Sequence, residues 1–288
     1  MGRTAKGPAD ENFPVGSWLL ARDRRPHVAA FYAFARTADD VADDPDLPAA
    51  AKLDRLDRMA AALVDGGDGD VGDRLRRSLA AAGVPAAHAL DLLDAFRQDA
   101  RQARHPDWAS LMAYCDRSAA PVGRFLLDLH GEARARWPAA DALCAALQVL
   151  NHLQDLGADR RRLDRVYLPQ DWLVAAGAGD RDLDRLACTP ALRRVVDRCL
   201  DGVDGLLRRS RPLAAGLADR RLAAEAAVIQ CIAERLSRAL RAGDPLARPV
   251  RLGRGAYGVA LLVGLGRAFG DRAFRRGVAG AAARPAGP

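Results

Sequence analysis

Two aspartate clusters, Asp39-Asp40-Val41-Ala42-Asp43 (with Asp44 following) and Asp155-Leu156-Gly157-Ala158-Asp159, lie about 115 residues apart. Each sets two aspartates at i and i+4, which on an α-helix stacks both carboxylates on one face. The residues upstream lengthen each stripe. Tyr32, Arg36, Asp39 and Asp43 follow at spacings of 4, 3 and 4, and Gln148, Asn151, Asp155 and Asp159 at 3, 4 and 4. The remaining positions are strongly apolar: Val28, Ala29, Phe31, Phe34, Ala35 and Val41 in the first segment, Leu143, Ala146, Leu147, Val149, Leu150 and Leu153 in the second. Like charges one turn apart destabilise a helix, and aspartate is a poor interior helix former. Helices otherwise fit for burial, each carrying such a stripe, call for a counter-charge.

The rest of the chain agrees with a helical reading. Isoleucine occurs only at Ile229 and Ile232 and aromatics make up 5% of residues, whereas strands would want β-branched and aromatic side chains. Proline and glycine punctuation predicts helices near 27–43, 49–64, 71–82, 86–104, 108–130, 138–160, 181–208, 212–219 and 221–241. Neither strand alternation nor a fixed-period repeat is visible. The length of 288 residues suits one helical domain over 11–243, after a loose tail at 1–10. Residues 244–288 read as a basic, partly disordered extension. There Arg248, Arg251, Arg254, Arg267, Arg272, Arg275 and Arg276 face a single acid, Asp271, once Asp244 is passed. The expected fold class is therefore all-α, a single-domain bundle around a central cavity.

Several function classes are disfavoured. Five cysteines without a CxxC pair fit a reduced, cytoplasmic setting better than a disulfide framework. Five histidines without HExxH offer no zinc site. No leader-type h-region is read at the N-terminus, and no apolar run approaches the ~20 residues of a membrane span. The net charge of +7 suits nucleic acid, an anionic membrane face or a phosphorylated substrate without choosing among them. No nucleic-acid-binding signature accompanies it, so nucleic acid is not an expected partner. A peripheral contact with the inner face of the membrane, through the arginine-rich extension, stays open.

Mg²⁺ is the natural counter-charge for facing aspartate stripes. It binds through one or two carboxylates plus substrate phosphates while keeping several waters. Metals so held would neutralise a departing diphosphate, and the apolar remainder would sheath a carbocation from water. A solvated acidic face is the plainer alternative, and a non-catalytic helical binding module is another.

These residues resemble the squalene/phytoene synthase family, whose members join or rearrange isoprenoid diphosphates head to head. Phe31-Tyr32-Ala33-Phe34-Ala35-Arg36 followed by Asp39 to Asp43 is similar to the family's first aspartate motif. Gln148, Asn151, Asp155 and Asp159, then Arg165-Val166-Tyr167-Leu168-Pro169, are similar to the second. The resemblance implies that Asp39, Asp43, Asp155 and Asp159, helped by Asp40, hold two or three Mg²⁺ ions with the diphosphate. It implies that Tyr32, Arg36, Gln148, Asn151, Arg165 and Tyr167 meet the diphosphate or the reacting centre. Glu11-Asn12-Phe13-Pro14-Val15, Phe96-Arg97-Gln98-Asp99 and Tyr114-Cys115-Asp116-Arg117-Ser118-Ala119-Ala120-Pro121-Val122-Gly123-Arg124 resemble the family's bacterial hydroxysqualene-forming branch. That branch ionises presqualene diphosphate and lets water capture the rearranged cation. Asn12 would then help hold phosphate, and Arg117, Ser118 and Arg124 would supply polar groups near the substrate. Ala120 stands where that branch is expected to carry Asn. Sister branches, which make presqualene diphosphate from farnesyl diphosphate, or make squalene or phytoene, remain alternatives. NADPH is not expected, because the glycine cluster Gly264 to Gly270 misses the GxGxxG spacing.

Overall fold

A computed structural model describes residues 20–253, together with 255, 258, 259, 262 and 263. Asn12, the Gly264–Gly270 cluster and the arginines from 254 onward lie outside the described residues.

Helix ends fall where the sequence supplies capping chemistry. The Asp70 side chain accepts from the Asp73 N–H at 2.8 Å to start α3 (Val71–Ala82), and Gly83, in the left-handed region at φ 67°, ends it. Asp107 and Ser110 form a reciprocal capping box at α5 (Trp108–Ser118). Thr189, followed by Pro190 in the first turn, opens α10 (Pro190–Ser210). Asp219 accepts from two backbone N–H groups at the head of α12 (Arg220–Ala242).

Two groups of helices share one apolar core. In the first, α1 (Arg25–Ala42) packs against α2 (Ala49–Val64), α3 and α4 (Ala87–Asp99). In the second, α7 (Trp137–Gln154) packs against α5, α6 (Ala120–Leu129), α10 and α12. Eight buried residues on α7, from Ala140 to Leu153, explain its position at the centre of that group. The groups join where Phe31 of α1 stacks on Phe125 of α6 with ring centroids 4.0 Å apart, and where α4 meets α5 and α6.

The helices depart from the expected spans at particular residues. The predicted helix 108–130 is divided at Ala119, because Pro121 cannot donate into the preceding turn. The predicted helix 138–160 is divided at Asp155 into α7 and α8 (Leu156–Leu163). Residues 181–184 lie in a 3₁₀ turn (Asp180–Asp184) rather than in α10. Helices α9 (Gln170–Ala176) and the short α11 (Leu213–Gly216) lie between these elements.

A small parallel strand pair escaped the sequence reading. β1 (Arg104–His105) pairs with β2 (Val166–Pro169), aligning Arg104 with Val166 and His105 with Pro169. Elements this short carry no alternation to read. Asp164, at φ 50°, turns the chain from α8 into β2, and Arg104 binds its carboxylate at 2.7 Å. The pair ties the end of α4 to the segment that follows the second aspartate cluster. Residues 244–253, assigned by composition to the extension, pack back onto the helices. Asp244 accepts from the Cys188 N–H at 2.9 Å, Gln154 donates to the Val250 carbonyl at 2.6 Å, and Val250 is buried.

Candidate active site

The first stripe runs down α1 to its C-terminus, where Asp43 is the capping residue. Two cations close that end. Arg165 donates to the Ala42 carbonyl at 2.9 Å and to Asp43 Oδ1 at 2.5 Å, and Lys52 donates to the same carbonyl at 2.8 Å. Cations at a helix C-terminus complement its partial negative charge. Arg36 bridges Asp39 at 3.2 Å and Asp40 at 3.1 Å, with Asp40 on the more exposed side. The second stripe survives the helix break in register. The Asp155 N–H donates to the Asn151 carbonyl at 2.9 Å and the Asp159 N–H to the Asp155 carbonyl at 2.8 Å.

Arg165, just before β2, and Tyr167 of β2 connect the two stripes. Besides its bond to Asp43, the Arg165 N–H donates to the Asp159 backbone carbonyl at 3.3 Å. Burial raises the Tyr167 phenol well above its ordinary value, and the carboxylates of Asp99, Asp159 and Asp43 add to the rise against the opposing charge of Arg165. One hydroxyl thus feels carboxylates from both aspartate clusters. Burial pushes the Asp39 carboxyl up to about 7, Asp43 adding to the rise and Arg36 opposing it. Its side chain nevertheless keeps 38% of its accessible surface, as a group lining a concavity does. This is a carboxylate cluster short of positive charge.

Asp99, at the end of α4, is a site residue that the aspartate stripes gave no reason to expect. It accepts from Tyr114 Oη at 2.8 Å and from Tyr167 Oη at 3.3 Å, and burial pushes it up to about 6. Its only sequence signal is its place at the end of Phe96-Arg97-Gln98-Asp99. Around these tyrosines lies an aromatic group. His152 stacks on Tyr167 with centroids 3.6 Å apart, and His105 approaches Tyr114 and Tyr167 at 5.1 and 5.6 Å. Lys52 was likewise not foreseen.

The structure therefore gathers Arg36, Asp39, Asp40, Asp43, Asp159, Arg165 and Tyr167 around one region. Tyr32, Gln148, Asn151 and Asp155 lie on the same two stripes and are half-buried. It does not bring Arg117 and Arg124 to the carboxylates. Arg117 donates to Gln98 at 2.6 Å in an exposed cleft of about 400 Å³. Arg124 forks onto Asp141 at 2.9 and 2.8 Å and reaches Asp116 at 2.5 Å. The Ser118 hydroxyl is buried without a hydrogen-bond partner. The side chains suited to a hard cation are Asp39, Asp43, Asp155 and Asp159. Among the described residues no three His, Cys, Asp or Glu side chains close around one point. A cation held here would need water and phosphate oxygens to complete its shell.

A family model for squalene/phytoene synthase matches residues 7–256. Hydroxysqualene synthase of Rhodopseudomonas palustris (strain ATCC BAA-98 / CGA009) is 45% identical over 276 residues, covering 96% of this chain and 94% of that protein. Hydroxysqualene synthase of Zymomonas mobilis is 43% identical over 270 residues, covering 92% and 91%. Among solved structures, a squalene synthase of Alicyclobacillus acidocaldarius superposes with a TM-score of 0.71 at 32% identity, over 79% of this chain and 87% of that one. A dehydrosqualene synthase solved with a ligand superposes equally well (0.71) at 21% identity, over 87% and 89%, a likeness of fold. With its paired aspartate helices and this match, the chain belongs to the squalene/phytoene synthase family. It is an enzyme of that head-to-head prenyl synthase group, with the all-α fold expected of it.

Proposed function

We propose that the enzyme converts presqualene diphosphate to hydroxysqualene, requiring Mg²⁺ and no NADPH. The observation that carries the reaction type is the junction of both aspartate clusters at Arg165 and Tyr167. The choice of branch is supported by 41–45% identity to three hydroxysqualene synthases.

The chain's own groups divide the work. Arg36 and Arg165 present planar guanidinium forks suited to diphosphate oxygens, and Lys52 adds a point charge beside them. When bound, Mg²⁺ supplies charge neutralisation at the leaving diphosphate, and Asp39, Asp43, Asp155 and Asp159 would hold two or three such ions with it. Phe31, Phe34, Leu150 and Leu153, buried on the same helices, pack the core that holds the two stripes in place. Asp99 holds the Tyr114 and Tyr167 hydroxyls, each of which donates its hydrogen to the carboxylate.

The test is product identity. Pure protein given Mg²⁺ and presqualene diphosphate, with and without NADPH, should yield hydroxysqualene in both cases and nothing after chelation. Squalene formed only with NADPH, or presqualene diphosphate accumulating from farnesyl diphosphate, would place the chain in a sister branch.

A further inference from the structure

The Arg165 fork is only as well placed as the backbone it leaves from, and that backbone lies between the end of α8 and the start of β2. Three consecutive residues hold it. The Asp164 and Arg165 N–H groups both donate to the Asp159 carbonyl, the second at 3.3 Å. The Val166 N–H donates to the Ala103 carbonyl at 2.9 Å. The Asp164 carbonyl, the oxygen of the peptide group that leads into Arg165, accepts from Arg104 Nη1. Residues 103 and 104 of one segment therefore grip the peptide groups on either side of Arg165.

Arg104 reaches several acceptors at once. Besides the Asp164 carbonyl, Nη1 donates to the Ala103 carbonyl at 2.9 Å, Nη2 to Asp164 Oδ1 at 2.7 Å and Nε to Asp180 Oδ2 at 2.8 Å. Asp180 opens the 3₁₀ turn, whose Asp184 accepts from Arg160 at 3.2 Å, and Arg160 also binds the Asp164 carboxylate. Asp164 stands in the left-handed region at φ 50°, where a side chain is disfavoured unless its surroundings hold it. Two guanidinium groups on its carboxylate and one on its carbonyl do so. The Asp164 side chain keeps 70% of its accessible surface, and ion pairs so exposed contribute little to stability. The consequence of this network is therefore geometric. It fixes the turn between Asp159, at the end of the second stripe, and Arg165, whose guanidinium binds the end of the first at Asp43 and the Ala42 carbonyl.

We propose that Arg104 is a positioning residue for Arg165, holding the left-handed turn and the peptide group from which the Arg165 fork reaches the diphosphate. This rests on the reading above in which Arg165 meets the diphosphate. Arg104 acts through its neighbour, and its own donors are directed at Asp164, Ala103 and Asp180. Lysine cannot replace it, because a single ammonium cannot span the Asp164 carbonyl, the Asp164 carboxylate and Asp180 together.

The test is a double-variant cycle on the full chain, read by calorimetric titration with inorganic diphosphate in Mg²⁺. Arg104→Met keeps the apolar stem and removes every side-chain donor. It should weaken diphosphate binding about 10-fold or more, since small displacements of a positioning group are costly. In an Arg165→Ala background the same change should alter binding by less than about 2-fold, because its effect passes through Arg165. Equal weakening in both backgrounds would mean general loosening and overturns the inference, as does unchanged binding in Arg104→Met alone. Should Arg104→Met fail to fold by circular dichroism, Arg104→Lys carries the same comparison. Arg165→Ala that binds diphosphate as tightly as the wild type overturns the parent reading and this one with it, an outcome read without any change at Arg104.

Discussion

At the residue scale the site combines carboxylates that burial disfavours with cations that partly offset them. Alanine at Asp39, Asp43, Asp155 or Asp159 should lower kcat by about 100-fold or more, because charge stabilisation at the leaving group dominates such chemistry. Metal-free stability should move the other way for one of them. Asp39→Asn removes a carboxyl that burial penalises, and thermal melting in a chelator should rise by an amount worth about 1 kcal/mol after allowance for its 38% exposure. Asp99 gives a pH signature. Its folded value of about 6 lies above the ordinary aspartate value of 3.8, so between those pH values the folded state holds more protons than the unfolded. Metal-free stability should fall as pH rises through that window and level off above it. Asp99→Asn should flatten the fall, a difference on the order of 1–3 kcal/mol in denaturant titrations at pH 4.5 and 7.5. The aspartate stripes were legible in sequence because both partners of each pair lie on one helix. Asp99 was not, since Tyr114 and Tyr167 are 15 and 68 residues away and meet it only in the folded chain.

At the element scale, the closeness of α6 and α7 depends on one glycine. A Cβ at Gly123 would stand 2.7 Å from Cys144 Sγ, far inside contact distance. Gly123→Ala should destabilise the protein by about 1–3 kcal/mol, and Cys144→Ala in the same chain should restore much of the loss. Melting temperatures of the two single variants and the double variant measure this. Arg124, one residue on, is placed by tertiary contacts. The resemblance implied a place near the substrate for it, as for Arg117 and Ser118, but after the break at Ala119 between α5 and α6 its guanidinium binds Asp141 and Asp116. The second stripe crosses a break without harm because the hydrogen bonds at Asp155 and Asp159 preserve the helical register.

At the scale of the whole molecule, no described helix is long and apolar enough to cross a membrane. A surface contact is a different matter. Val259, Leu262 and Val263 are exposed at i, i+3 and i+4, and Arg248 and Arg251 are exposed just before them. Arginines near an anionic bilayer gain about 1 kcal/mol each. We expect flotation with anionic vesicles and not neutral ones at low salt, lost when the chain is cut after Gly253. Cutting after Asp244 would be uninformative, since Val250 and the Gln154 contact would go with it. Retention on anionic vesicles after the Gly253 cut would assign the contact elsewhere.

Local chemistry written within one helix was readable from the chain alone: the all-α class, both carboxylate stripes, the apolar faces beside them and the family they resemble. Each depends on residues three or four apart, where helical geometry leaves little choice. The union of Arg165 with Asp43 across 122 residues, the short β1–β2 clamp, the Tyr114–Asp99–Tyr167 bridge and the stacking of His152 on Tyr167 came from tertiary structure only. Those contacts depend on the rotation and offset of whole helices, which the packing of the entire core sets and no local spacing records.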